Sequence, residues 1–544
     1  MSKPSRTLSA TLCAVLCAVV VRCSGGNDAQ DDGFDGGGDA AAQDGPPDDT
    51  GDIATPDSAL EAGDTGGQQG DSAADGSSDV QEELVEVGLP EAAHDADVDD
   101  GGWDGGSDDG GPGDGGEMIS GESICYYGDF DVDALHEVAC LSWPGPMRTM
   151  IDLQGLTGSY EVDWVTRSTD GRSMAVAGRK SASARVNLVV YRLDGTGAPV
   201  VVATAPSKDR VILRPTFSAD GSTLAFLADF ELAGAMSLYL VSTTGGAPKR
   251  VSPAPTHPDL DVLDYAWSRG ANTRSWLAYA GDLEQDGVVA LWTLDVSNAP
   301  PSPIAVLPTT SLAPDRDVQG GLQWDGAGRL YFRTNVVEPG TWRVHWTNTD
   351  GTDQGALPDL ITANGAASTF AFGLAHAGDR LAFSADGAAP GILHVYVTDL
   401  NVPSPSTVKV SSASITGQDG GVLGPALGQP IRWSAGDSIL ACAADWAVTA
   451  ADRPDVFSSW VLGSAQGGQD SRVLGAPESV DLNVREVAFS RTGSRLFVRG
   501  DLLGDGVFEL FSTDDLTTAG QDPTAARVEE VPQGGDVLGL EWIP

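Results

Sequence analysis

Basic residues are scarce. The 544-residue chain has 31 Lys and Arg against 78 Asp and Glu, and none of the 31 falls between Ser24 and Met118. Phosphate-backbone binding through counterion release needs basic side chains in number, so no nucleic acid is expected as a partner. Cysteine is scarce too: of six, three lie in the first 23 residues, which leaves Cys125, Cys140 and Cys442. That is too few for a disulfide framework. Long helical periodicities are absent, and no apolar run reaches the ~20 residues that span a bilayer as a helix. The chain also lacks a G-x-S-x-G elbow, an H-E-x-x-H helix and a C-x-x-C pair. His136, His257, His345, His376 and His394 stand at unlike positions in the repeat described below, so no catalytic residue is assigned and no enzyme is expected.

What is abundant is glycine (69) and proline (32), beside 7 % aromatics and 20 % charged residues, a composition that suits a turn-rich all-β chain. The N-terminus differs from the rest. Lys3 and Arg6 precede an apolar run from Leu8 to Val21, which reads as an export signal over residues 1–23. Residues 24–118 then repeat Asp, Gly, Ala, Ser and Pro with almost nothing to bury, so a disordered acidic tether is expected. A Gly-rich coil of that length spans ~55 Å, and carboxylate repulsion extends it.

Residues 119–544 carry a repeat. Arg214 to Ser252 contains four short strand-like runs separated by turn residues, and the aromatic closing the first run recurs at Trp164, Phe217, Trp267, Trp324, Phe372, Trp433, Phe489 and Trp542. The spacing, close to fifty residues, is that of one four-stranded propeller blade with its loops. Polar turns follow the first run, as in Thr169-Asp170-Gly171 and Ala219-Asp220-Gly221. The second run is apolar (TLAFLA, WLAYAG, RLAFSA), and the third alternates (SLYLVS, LHVYVT, FELFST). The chain ends on a lone first run. Ile124 to Ser142 aligns without gaps on Leu224 to Ser242, which supplies the missing later runs. An all-β, closed β-propeller of four-stranded blades is therefore expected, with one composite blade built from N- and C-terminal strands. Eight blades are predicted, seven being the next count. Such a ring closes on itself, so a monomer is expected.

Phe217-Ser218-Ala219-Asp220-Gly221, Leu224-Ala225-Phe226 and Leu238-Tyr239 resemble the TolB-like (WD40-like) propeller repeat, over about 420 residues of the chain. Cys23, followed by Ser24-Gly25-Gly26, resembles the lipid-modified cysteine of bacterial lipoproteins, although Arg22 stands where that pattern has a small residue. The alternative is a conventionally cleaved secreted protein. Together these resemblances imply a lipid-anchored protein of the periplasm, outer membrane or cell surface, touching the membrane through its anchor alone. It would act as a non-enzymatic scaffold for an envelope protein or peptide. A carbohydrate-binding or lyase-type propeller using the central channel is the alternative.

Two further expectations concern sites. Cys125 and Cys140 fall on neighbouring runs, where either a cross-strand disulfide or two buried thiols would fit. Cys442 aligns with Phe226 and reads as core. Loops between the second and third runs are acidic: Asp129, Asp131, Asp133; Asp229, Glu231; Asp282, Glu284, Asp286; Asp501, Asp505. Alternate carboxylates before a glycine are what calcium loops use, so Asp282, Glu284 and Asp286 are the candidate calcium ligands; no other cofactor is indicated.

Overall fold

The structure is a computed structural model that describes residues 123–541 apart from 131–135, 144–146, 152, 154–160, 270–275, 299–300, 308–315, 358–360, 363–364, 367, 390–391, 403–406, 411–430, 446–453, 461–468, 473–482, 502–506, 514–524 and 530–535. The expected signal, Cys23 and the tether lie outside the described residues, as do Asp131, Asp133, Asp505 and Trp542. Every long element among the described residues is a strand.

These strands form eight four-stranded antiparallel sheets, each a propeller blade. Seven blades take four consecutive strands. The eighth has the order Met147–Met150, Glu137–Ser142, Ser123–Asp129, Asp536–Leu540, and so joins the two ends of the folded region. A two-stranded hairpin, Ile361–Thr362 with Gly365–Ala366, lies in the connection to the fifth blade. The inner strands, in ring order, are Glu161–Arg167, Ile212–Phe217, Val262–Trp267, Val318–Trp324, Thr369–Leu374, Ile431–Trp433, Asn483–Phe489 and Asp536–Leu540.

Second strands are buried on both faces because each blade is sandwiched between two others. Thr223–Ala228 and Ser173–Arg179 are almost wholly buried along their length. Hydrophobic clusters fill the spaces between neighbouring blades: Ala175, Leu188 and Val190 of the first blade meet Phe217, Phe226 and Tyr239 of the second. Cys125, Val138 and Cys140 of the composite blade meet Val165, Met174 and Tyr191 of the first. On its other side, Tyr126 and Leu141 meet Phe497 and Leu510 of the seventh. The outermost strands, such as Lys249–Arg250 and Gln354–Ala356, are short and polar, which blunts the exposed edges.

The turn signature has a direct cause. In the first blade Gly171, at φ 73°, donates its N–H to the Ser168 carbonyl; the Ser168 hydroxyl donates to Asp170 and accepts from the Ser173 N–H. Ser218, Asp220, Gly221 and Thr223 repeat this arrangement. A carboxylate, a hydroxyl and a positive-φ glycine thus satisfy one hairpin internally. The sixth blade inverts the last two residues: Gly436 precedes Asp437, and Asp437 itself takes the left-handed position at φ 52°.

Anchoring the alignment on these turns corrects two positions. Register places Arg167, three residues after Trp164, and Leu374, two after Phe372, where the other blades carry their closing aromatic. In four blades that position ties the blade to the one before it. Indole N–H groups of Trp267, Trp324 and Trp433 donate to the carbonyls of Thr216, Ala266 and Gly373 at 3.3, 3.1 and 2.8 Å. Arg167 makes the same tie to the composite blade with charge. Its guanidinium donates to the Ser123 hydroxyl (2.7 Å), the Ser123 carbonyl (3.1 Å) and Glu541 Oε1 (2.7 Å), while the Glu541 N–H donates to the Cys125 carbonyl (2.8 Å).

Candidate functional site

Antiparallel strands put the turns between first and second strands on one face of the ring, with those between third and fourth. The remaining loops form the other face. On that other face the acidic residues act as backbone caps. Asp282 is buried, and its two carboxylate oxygens accept the N–H groups of Asp261 (2.6 Å) and Gly287 (3.4 Å). Asp229 does the same for Val211 and Gly234, and Asn335 takes the Asp317 N–H. A second row crosses between blades: Asp261 accepts from Met236 N, Asp317 from Val289 N, and Asp536 from Phe508 N. Sequence reasoning missed this second row, because its members lie at or just before the starts of inner strands, far in sequence from the N–H groups they accept. The crossing is close. A Cβ on Gly281 would lie 2.3 Å from the Asp261 carbonyl, and one on Gly128 would lie 2.3 Å from the Asp536 carbonyl, so both second strands need glycine there.

The three candidate calcium ligands are therefore not gathered. Asp282 turns inward to the backbone, whereas Glu284 and Asp286 are exposed. Among the described residues no group of three or more His, Cys, Asp and Glu side chains forms a metal-binding cluster. The physical reason is that a carboxylate already accepting two N–H bonds has its best lone pairs committed. Cys125 and Cys140 face each other in register and form a disulfide. Cys442 is a buried cysteine outside any disulfide, packed with Trp433 and Leu440.

The histidines have separate local roles. The His136 ring accepts the Val162 N–H at Nδ1 (3.0 Å), and burial lowers its pKa, so it sits neutral. His376 contacts Asp437 across two blades at 3.1 Å. Asp437 also accepts the backbone N–H groups of His376 and Ala377, both at 2.7 Å. On this turn face Arg491 of the seventh blade reaches the Thr169 and Asp170 carbonyls of the first, over the composite blade, whose first two strands no hairpin joins.

The innermost layer is polar. Inner strands bulge at one level in blade after blade, between Val162 and Trp164, Leu213 and Thr216, Val262 and Asp264, and Val484 and Glu486. Asp264 links three blades there: it pairs with Arg214 at 2.6 Å and accepts the Gly321 and Leu322 N–H groups at 2.5 and 3.1 Å. Arg214 holds a left-handed backbone at φ 50°. Burial pushes the Asp163 carboxyl up to about 6, against the pull of Arg179. Glu486 accepts from Arg499 Nε (2.8 Å) and Leu540 N (3.1 Å).

No protein-family profile and no curated protein sequence matches the chain. Solved structures similar to it include a protein assigned as TolB from Agrobacterium tumefaciens, at 16% identity and TM-score 0.30, covering 54% of this chain and 90% of that one. The β-propeller domain of the Trilobed protease from Pyrococcus furiosus matches at 11% identity and TM-score 0.41, over 68% of this chain and 98% of that one. Prolyl oligopeptidase B from Galerina marginata matches at 12% identity and TM-score 0.44, over 69% of this chain and 50% of that one. The chain thus spans half the length of that oligopeptidase. Repeat, turn and ring define a β-propeller of four-stranded blades.

Proposed function

We propose that the chain is an exported, lipid-anchored, non-enzymatic binding platform of the bacterial cell envelope, whose loop faces receive a protein or peptide. The observation that carries this reading is the Cys125–Cys140 disulfide in the blade that closes the ring. Such bonds persist in oxidising compartments and are rare in the cytosol, which agrees with a signal over residues 1–23. The turn and loop networks support a display role. Among the described residues they hold turns and loops by bonds within and between blades, which suits display on a rigid ring. In this reading Cys23 carries the lipid and residues 24–118 hold the ring away from the membrane.

The test is fractionation of cells making the full chain, with thiol labelling before and after reduction and metabolic labelling with a fatty acid. The reading expects envelope location, Cys125 and Cys140 protected until reduction, and lipid lost in Cys23→Ser. Recovery in the cytoplasm with both thiols free would overturn it. Crosslinking in intact cells then identifies what sits on the loop faces.

A further inference from the structure

We propose that the seam between the fourth and fifth blades, at the face opposite the hairpin turns, takes the C-terminal end of a peptide, whose carboxylate accepts from Arg333 and whose last N–H donates to Gln319. This rests on the reading above that a loop face receives a protein or peptide, and names the chemistry of that contact. Arg333 is the next-to-last residue of the second strand Leu330–Thr334, and Gln319 is the second residue of the inner strand Val318–Trp324. The two are direct cross-strand partners, and Val344 of the third strand stands opposite Arg333 on its other side. Side chains paired in this way project from the same face of a sheet. Neighbours fix which face it is. Tyr331 and Val344 pack against Phe372, Phe383 and Ala385 of the fifth blade, whereas Leu330 and Phe332 pack toward the third. Arg333 and Gln319 share the side of Tyr331 and Val344, so both face the fifth blade. At that seam the Trp342 carbonyl accepts the Thr369 N–H at 2.8 Å, and the Arg333 guanidinium lies over the Trp342 ring at 5.7 Å.

Both polar groups are held in place and unmatched. Arg333 is 4% exposed and its Nε is buried without an acceptor, while Gln319 Oε1 is buried without a donor. Among the described residues no carboxylate or carbonyl bonds the guanidinium, and burial alone lowers it to about 9. Other buried arginines are matched, Arg214 with Asp264 at 2.6 Å and Arg167 with Glu541 at 2.7 Å. Gln323, four residues along the same strand, shows what an amide does at this seam. It grips backbone at both ends, donating to the Phe372 carbonyl at 3.1 Å and accepting the Leu374 N–H at 2.7 Å. Gln319 has no such partner among the described residues. A buried cation beside a buried acceptor is complemented by a ligand that carries an anion next to an N–H. The last residue of a peptide has that pair one carbon apart, and a guanidinium meets a carboxylate with two parallel N–H bonds. A carboxylate alone would satisfy Arg333 and leave Gln319 unmatched.

The test is calorimetric titration of the full chain with three probes: N-acetyl-dialanine as the free acid, the same dipeptide as its C-terminal amide, and acetate. Saturable one-to-one binding of the free acid is expected, with the amide about tenfold weaker or worse and acetate weaker than the free acid. Arg333→Gln should weaken the free acid about tenfold or more, the loss of a charge-assisted hydrogen bond, and Arg333→Lys should retain part of the affinity. Gln319→Ala should weaken the free acid about fivefold, the loss of a neutral hydrogen bond, and leave acetate unchanged. If Arg333→Gln does not fold, the free acid should still raise the denaturation midpoint of the wild-type chain where the amide does not. Absence of saturable binding by the free acid overturns the proposal, as do equal effects of acid and amide or unchanged affinity in folded Arg333→Gln. Recovery of the chain in the cytoplasm would sink the envelope reading without moving these affinities, whereas failure here leaves the fractionation result standing.

Discussion

Replacing Arg167 by alanine tests how the ring is closed. The wild-type guanidinium donates three hydrogen bonds, two to Ser123 at the start of the composite blade and one to Glu541 at its end. Glu541 is buried with a side-chain exposure of 0%, and its second oxygen, Oε2, has no partner. Removing the cation strands a buried carboxylate, which costs about 3–5 kcal/mol. Replacing both members, as in Arg167→Met with Glu541→Leu, should cost about 1 kcal/mol or less, because no charge remains to be desolvated. The difference is a coupling energy readable from a double-mutant cycle. Its pH dependence has a definite sign. Burial raises the Glu541 carboxyl and Arg167 opposes the rise, so in Arg167→Ala it climbs further. Between the unfolded value, about 4.3, and this raised folded value, the folded state holds more protons than the unfolded state. Stability therefore falls as pH rises through that window, and the deficit of Arg167→Ala should be smaller at about pH 4 than at about pH 7. Denaturant unfolding followed by tryptophan fluorescence measures both. A single-variant loss under about 1 kcal/mol at neutral pH, or one that grows on acidification, would refute the latch.

Three further outcomes follow from neighbouring features. Cys140→Ser should lower stability by about 3 kcal/mol, the closure entropy of a loop whose ends are 15 residues apart, and a reducing agent should then leave the variant's denaturation midpoint unmoved. Asp282→Ala orphans two backbone N–H groups and should cost about 1–3 kcal/mol, while a calcium chelator should not shift the wild-type midpoint; a drop on chelation would restore an ion to that loop. Asp437→Gly keeps the left-handed backbone but removes the caps on His376 and Ala377, for about 1–2 kcal/mol. Burial pushes the Asp437 carboxyl up, but its hydrogen bonds from His376 and Ala377 outweigh that and lower it overall. Its stabilisation is therefore present above the unfolded value, about 3.9, and lost as pH falls through the folded value, so wild type and Asp437→Gly should converge in acid. A gap that persists there would count against the capping role.

Most of the ring was legible in the sequence because its signals are local. Ser218-Ala219-Asp220-Gly221 specifies a hairpin from four adjacent residues, and TLAFLA and SLYLVS carry their burial in their own apolar residues. The composite blade was legible for the same reason, since Ile124 to Ser142 copies a complete pair of runs. What escaped were the partners of polar side chains, which join distant residues. An acidic loop such as Asp282-Leu283-Glu284-Gln285-Asp286-Gly287 reads alike whether its first carboxylate holds an ion or two backbone N–H groups.

Arg167 was hidden by its replacement of an aromatic. Trp164 was the nearest tryptophan and drew the alignment to itself, although Ser168-Thr169-Asp170-Gly171 follows Arg167 directly and fixes its place. The substitution has a mechanical sense. In the other seven blades the first two strands are consecutive in the chain, and in three of them an indole reaching one carbonyl ties the blade to the preceding one. Before the first blade no peptide joins the first two strands, because they come from opposite ends of the folded region. A guanidinium can hold both at once, Ser123 on one strand and Glu541 on the other. Arginine therefore stands in this position where a bond to the blade must also be a bond within it.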